Sequence, residues 1–185
     1  MTSLEKTILL IDTVCNSSSI PYSIIGGIAN IIHGAGRTTQ DIDIIIQIEL
    51  EELETVYDLF IQDFIPLKND PKTFFRTYFV LPLKHKEHGT RVDISAALSE
   101  FEKNAIKRSE RHTFGSAEAF FCSPEDLILF KLVARREQDL IDVRDIILRL
   151  KDTLDTEYLF STAKLFEEIG RPDILDYLHS LLRNR

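Results

Sequence analysis

The stretch Asp41-Ile-Asp-Ile-Ile-Ile sets two carboxylates, two residues apart, inside a run with the β-branched composition of a buried strand. Residues two apart on a strand point to the same face, so Asp41 and Asp43 project together while Ile42 and Ile44 turn the other way. Charged side chains are among the least buried of all, and two carboxylates held this close repel, so one of them tends to keep its proton. A divalent cation removes that repulsion, and Mg2+ favours carboxylate and phosphate oxygens. The strand is therefore expected to have one face in a core and the other at the opening of a site.

The residues before it fit the same picture. Tyr22-Ser-Ile-Ile reads as a short strand, Gly26-Gly27 opens a helix over 28–33, and Gly34-Ala-Gly36 suits its C-terminal cap. Without Cβ atoms the diglycine lets backbone approach a ligand closely, and the N–H groups at a helix start favour phosphate. Arg91-Val-Asp93-Ile-Ser95 is a second β-like stretch with one aspartate among apolar neighbours, and a hairpin arm there would bring Asp93 to the pair. A phosphate grip followed by paired aspartates is the equipment for metal-assisted attack at a phosphoryl group.

Elsewhere the pattern predicts helices over 4–15 and 51–63, the latter with Leu53, Val56, Phe60 and Phe64 near helical spacing. It predicts strands over 41–48, 74–83, 91–96, 111–114 and 118–121, with a polar turn over 84–90. Ser123-Pro-Glu announces helices that continue nearly to the end, the last of them starting at Pro172. Strands and helices do not alternate strictly, which points to a mixed α+β sheet flanked by helices and followed by a helical bundle. Residues 1–122 are expected to form the α/β core and 123–185 a C-terminal helical subdomain packed on it.

The net charge of −8 is uneven: residues 1–60 carry −7, 61–115 carry +3 and 116–185 carry −4. A general polyanion binder would be basic overall, though a basic middle can still form one positive wall of a site. No apolar run approaches the ~20 residues needed to cross a bilayer, and the start lacks a secretory signal. Cys15 and Cys122 stand in dissimilar contexts, as free thiols of a cytoplasmic protein would. His33, His85, His88 and His112 show no metal-ligand spacing, and His85 and His88 in a charged turn read as solvated. Phe74-Phe75 and Phe120-Phe121 read as core, and Arg135-Arg136 as a solvated helix face.

Gly-Gly, then Gly-x-Arg-x-Thr-x-Asp-Ile-Asp, then Val-Asp-Ile resembles the nucleotidyltransferase superfamily, with its DNA polymerase β-like fold. The minimal and abortive-infection (AbiEii-type) toxin nucleotidyltransferases are most similar, because Ser123-Pro-Glu-Asp-Leu, Lys131, Ala134, Arg135 and Asp139-Leu-Ile-Asp142 follow that branch's pattern. The resemblance covers about residues 20–150. It implies a nucleotidyltransferase-like sheet and transfer of an NMP from an NTP to a hydroxyl acceptor, RNA, tRNA or protein. It implies Mg2+ or Mn2+ on Asp41, Asp43 and Asp93, with Asp93 helping to deprotonate the acceptor. Gly26, Gly27, Arg37, Thr39, Lys131 and Asp139 would serve the nucleotide. Lys131, catalytic in this scheme, is expected to face the cleft of Asp41 and Asp43, with Asp139 nearby to orient it. Many members carry Ser where this chain has Gly27, and the short C-terminal part leaves little room for a separate acceptor domain. An antitoxin partner follows if the chain is a toxin. A small-molecule, aminoglycoside-type transferase and a non-catalytic partner protein are the alternatives.

Overall fold

The computed structural model describes residues 1–34 and 38–182. Arg37 lies outside the described residues, as do Ala35 and Gly36 of the expected helix cap. In chain order the elements begin with α1 (Ser3–Ser17), β1 (Tyr22–Ile25), α2 (Gly26–Ile32) and β2 (Asp41–Ile46). A short 3-10 turn leads into α3 (Leu53–Phe60), followed by β3 (Phe64–Pro66), α4 (Pro71–Tyr78), β4 (Val80–His85) and β5 (Arg91–Ala96). Then come α5 (Glu100–Lys107), β6 (Glu110–Phe114) and β7 (Ala117–Phe121). Helices α6 (Pro124–Ala134), α7 (Glu137–Leu150), α8 (Thr156–Leu165) and α9 (Pro172–Leu182) complete it.

The strands form one mixed sheet in the order β3-β4-β5-β2-β1-β7-β6. β2 runs parallel to β5 and antiparallel to β1, and β4 runs antiparallel to β5. This is the expected α+β architecture. Ile42, Ile44 and Ile46 enter the main core with Ile94, Leu81 and Leu83. On the opposite face Ile45 packs with Ala97, Ala105 and Ile106, and with Ile25 and Phe130 at its margin. One face of β2 is thus wholly apolar, while the other is covered by α5 and α6 only beyond the aspartates.

Several local expectations give way. The strand predicted over 74–83 is split: 71–78 is helical, and only Val80–His85 is strand. Asp70 accepts from the Thr73 N–H at 3.2 Å, Pro71 takes the first turn, and Phe79 in the left-handed region (φ 56°) ends the helix. Phe75 is core, but Phe74 is only partly covered. The helix predicted to 63 stops at Phe60, and Phe64 pairs with His85 in β3 instead. Helix α5 was not foreseen, although Ser99 and Glu102 form a reciprocal capping box, Glu102 N–H to Ser99 Oγ at 3.2 Å and Ser99 N–H to Glu102 Oε2 at 2.8 Å. His85 is buried, not solvated: its ring stacks on His88, and its Nδ1 accepts from the Glu87 and His88 N–H groups.

Candidate active site

The register of β2 on β5 builds the site. Asp41 lies opposite Arg91, Asp43 opposite Asp93, and Ile45 opposite Ser95. Side chains at matched positions share a face, so Asp41, Asp43 and Asp93 stand together on the face away from the main core. They line one wall of a cavity of about 510 Å3. Gly26, Gly27 and Thr39 form its end, while Phe130, Lys131, Arg136 and Asp139 form the wall across from the sheet.

The diglycine is required by the carboxylate beside it. Gly26 has φ +64°, in the left-handed region, and a Cβ there would overlap Asp43 Oδ2 and lie 2.8 Å from its Cγ. Gly27 has no such torsion, but a Cβ on it would come within 2.8 Å of Thr39 Cβ. The Gly27 N–H is turned toward the Asp43 carboxylate and favours its charged form. Thr39 Oγ1 in turn sits 3.3 Å from the Asp41 carbonyl and 3.4 Å from its N–H, which fixes the entry to β2.

Burial, reinforced by the charge of Asp93, raises the Asp43 carboxyl above the ordinary carboxylate range; the Gly27 N–H and the charge of Arg136 oppose the shift. Asp93 is raised too, by partial desolvation and by Asp41, against the pull of Arg91 and Lys68. As the side chains stand, no three His, Cys, Asp or Glu groups among the described residues converge closely enough to hold an ion. The donor set nevertheless fits a hard divalent cation: three carboxylates on one sheet face, two of them with pKa values raised partly by their neighbours' charge.

Lys131 lies on α6, and α7 folds back against it after the break at 135–136. Its side chain lines the cavity yet is only 4% exposed. Nζ donates to Asp142 Oδ2 at 2.6 Å and lies 3.7 Å from Asp139 Oδ1. Asp142, supported by Gln138 Nε2 at 3.0 Å, is therefore the closer partner, where the sequence pointed to Asp139. Asp139 instead clamps Arg136, accepting from Nε at 2.7 Å, Nη2 at 3.3 Å and the backbone N–H at 3.1 Å. Arg136 is solvated as expected, its side chain 77% exposed, and it also lines the rim of the cavity, while Arg135 turns away to Asp173 at 2.6 Å. Asp139 caps the start of α7 by accepting the Arg136 N–H, and no local sequence signal marks the Arg136 side chain as lining the cavity.

The fold is shared with solved structures at low identity. The chain is similar to the antibiotic-resistance factor ANT(2'')-Ia in solution, with TM-score 0.61 and 12% identity over 97% of this chain and 99% of that one. It is also similar to an antigenic nucleotidyltransferase-like protein from Paracoccidioides brasiliensis, with TM-score 0.56 and 17% identity over 99% of each chain. Lincosamide antibiotic adenylyltransferase LnuA, lincomycin-bound, gives TM-score 0.52 and 18% identity over 79% of this chain and 96% of that one. The fold is thus one that these nucleotidyltransferase structures share. Residues 2–169 match the model of the family described as nucleotidyltransferases of unknown function (DUF6036), and the chain belongs to that family. No curated protein matches it significantly.

Proposed function

We propose that the chain transfers an NMP from an NTP to a hydroxyl acceptor, with Mg2+ or Mn2+ held by Asp41, Asp43 and Asp93. The observation that carries this reading is the pairing of β2 with β5, which puts three carboxylates across one cavity from Lys131 and Arg136. The metal would supply neutralisation of charge developing on the phosphoryl oxygens. The chain's own residues do the rest. Gly26 and Gly27 keep Cβ atoms out of the space beside Asp43, leaving room for phosphate. Lys131, fixed by Asp142, and Arg136, fixed by Asp139, present preorganised positive charge to the triphosphate. Asp93, with its raised proton affinity, takes the proton of the acceptor hydroxyl. Arg37 and Thr39 would brace the loop that touches phosphate.

Incubation with each α-labelled NTP, MgCl2 or MnCl2, and total RNA or cell extract should label an acceptor. Asp41→Asn, Asp43→Asn and Asp93→Asn should each abolish labelling, and labelling that survives all three overturns the assignment. The Lys131–Asp139–Asp142 arrangement supports a toxin of the abortive-infection kind, acting in the cytoplasm on RNA, tRNA or protein and held by an antitoxin. Expression should then arrest growth, and Asp43→Asn should relieve it; growth unaffected by the wild-type chain counts against this role. A small-molecule acceptor is the second reading, favoured by a net charge of −8 that suits cationic compounds.

A further inference from the structure

The sheet face that carries Asp93 does not end at β5. Antiparallel pairing sets Lys84 opposite Arg91 and Pro82 opposite Asp93, and Ile65 stands opposite Lys84 in turn. Alternate residues of β4 and β5, among them Leu81, Leu83, Val92 and Ile94, turn into the core. On this face of the wing Lys84, Arg91 and Asp93 are exposed, whereas over β2 Ile45 is buried with Ala105 and Ile106. Ile65 and Leu67 are accordingly 49% and 41% exposed. Lys84 and Arg91 enter no ion pair among the described residues. At the rim, Lys68 Nζ lies 4.8 Å over the Phe74 ring, which packs 4.6 Å from Tyr78, itself 63% exposed. Asp70, the nearest acid in sequence, is occupied as the cap of α4.

We propose that this uncovered wing of β5, β4 and β3 is the acceptor platform, and that the acceptor is the end of a single-stranded polynucleotide. The inference rests on the nucleotidyl-transfer reading and adds the substrate class to it. Charge complementarity selects the occupant. In a chain of net −8, residues 61–115 carry +3; from that segment Lys68 and Arg91 act on the Asp93 carboxyl and Lys84 stands opposite Arg91 across the strands, all three outside any ion pair among the described residues. A cationic acceptor would be repelled there, whereas a phosphodiester backbone tracks such a row. The Phe74–Tyr78 ledge offers a face for a base and Ile65 a surface for sugar, the combination by which single strands are gripped without sequence preference. A strand lying on this wing brings its terminal hydroxyl to Asp93. The hydroxyl oxygen forms a bond to the α-phosphorus, the bond from that phosphorus to the bridging oxygen breaks, pyrophosphate departs, and the hydroxyl proton passes to Asp93.

Fluorescence anisotropy with 5′-labelled RNA and DNA oligonucleotides, single- and double-stranded, tests the platform, and calorimetric NTP binding to the same full-length proteins tests the donor site. Single strands should bind. Lys68→Glu with Lys84→Glu should weaken binding at least ~10-fold and flatten the salt dependence by ~0.7 in log–log slope for each phosphate no longer neutralised. Tyr78→Ala should weaken it about fivefold or more, with Tyr78→Phe restoring it, as a stacking face requires. NTP affinity should not change in the Tyr78 variants, and after charge reversal it should fall by far less than strand affinity, since Lys68 acts on Asp93. A wild-type chain that binds NTP but no single strand, prefers duplex, or binds equally after charge reversal overturns the platform and leaves nucleotidyl transfer standing. Strand binding without NTP binding overturns the transfer reading instead. RNA against DNA affinity identifies which polynucleotide is taken.

Discussion

Replacing Gly26 by alanine tests the core of the site, because one added methyl group has two separable effects. The first is conformational: φ is +64°, and an L-residue held there costs roughly 1–2 kcal/mol. The second is steric: the new Cβ would overlap Asp43 Oδ2 and lie 2.8 Å from Cγ, so the carboxylate must leave its rotamer, at ~0.5–1.5 kcal/mol. Alanine restricts the unfolded chain and returns ~0.4–1 kcal/mol. The net loss is about 2 kcal/mol, or ~4–8 °C in Tm for a chain of this size. A displaced Asp43 should also lower transfer by ~100-fold, as a misplacement near 1 Å does. Urea unfolding of Gly26→Ala in wild-type and Asp43→Ala backgrounds separates the two effects. With the carboxylate gone the torsional cost and a 3.0 Å approach to the Cβ of residue 43 remain, so the coupling should be about 1 kcal/mol. A substitution that costs less than ~0.5 kcal/mol, or the same in both backgrounds, would refute the claim that Gly26 is glycine for the sake of Asp43.

Asp43→Asn should raise the metal-free Tm at pH 7. The folded-state pKa of Asp43 is raised, so its contribution to stability is full below the unfolded carboxylate pKa and is lost as pH rises through the folded one. The gain in Tm should therefore shrink as pH falls into the carboxylate range, and a gain that persists at low pH would contradict the burial argument. Lys131→Met should destabilise by ~3–5 kcal/mol, since it removes the cation that faces the buried Asp142 carboxylate. Adding Asp142→Leu should recover most of that stability in thermal melts while transfer stays ~100-fold down, as for a lost charge-stabilising donor; recovered activity would make the pair a mere staple. Ser99→Ala should cost about 1 kcal/mol through the cap of α5 and leave the transfer rate unchanged.

The carboxylates were legible because strand periodicity is exact over short runs: Asp41 and Asp43 had to share a face whatever β2 paired with. That Asp93 would stand opposite Asp43 was only a topological guess, since the parallel β2–β5 pairing joins strands some fifty residues apart and no local signal fixes its register. The wing was misread for a similar reason. Phe74 and Phe75 look alike in sequence, but Asp70-Pro71 turns that stretch helical, so one ring enters the core and its neighbour joins Tyr78 on the rim. Arg136 and Asp142 were hidden by the break between α6 and α7, which decides what folds back on Lys131.

The segment from Ser123 to Asp142 divides into two kinds of buried charge, and the difference separates structure from site. At its start, Asp126 accepts from Ser123 Oγ at 2.8 Å, Arg108 Nε at 3.1 Å and Tyr158 Oη at 2.6 Å. Glu125 accepts from the Asp155 N–H at 2.9 Å and from Arg108 at 3.4 Å. These acids tie α6 to α5 and α8 and face no part of the aspartate cavity. Two turns later the pattern changes. Lys131, Arg136 and Asp139 line that cavity, and each cation is held by a buried carboxylate. The Lys131 pair is buried and the Arg136 pair is largely solvated on its cationic side, and both kinds are weak sources of stability. Their value lies in holding charge at a fixed place with little reorganisation, which is what an anion arriving opposite Asp41, Asp43 and Asp93 would need. Helix α6 thus anchors the C-terminal half at one end and brings Lys131 to the cavity at the other.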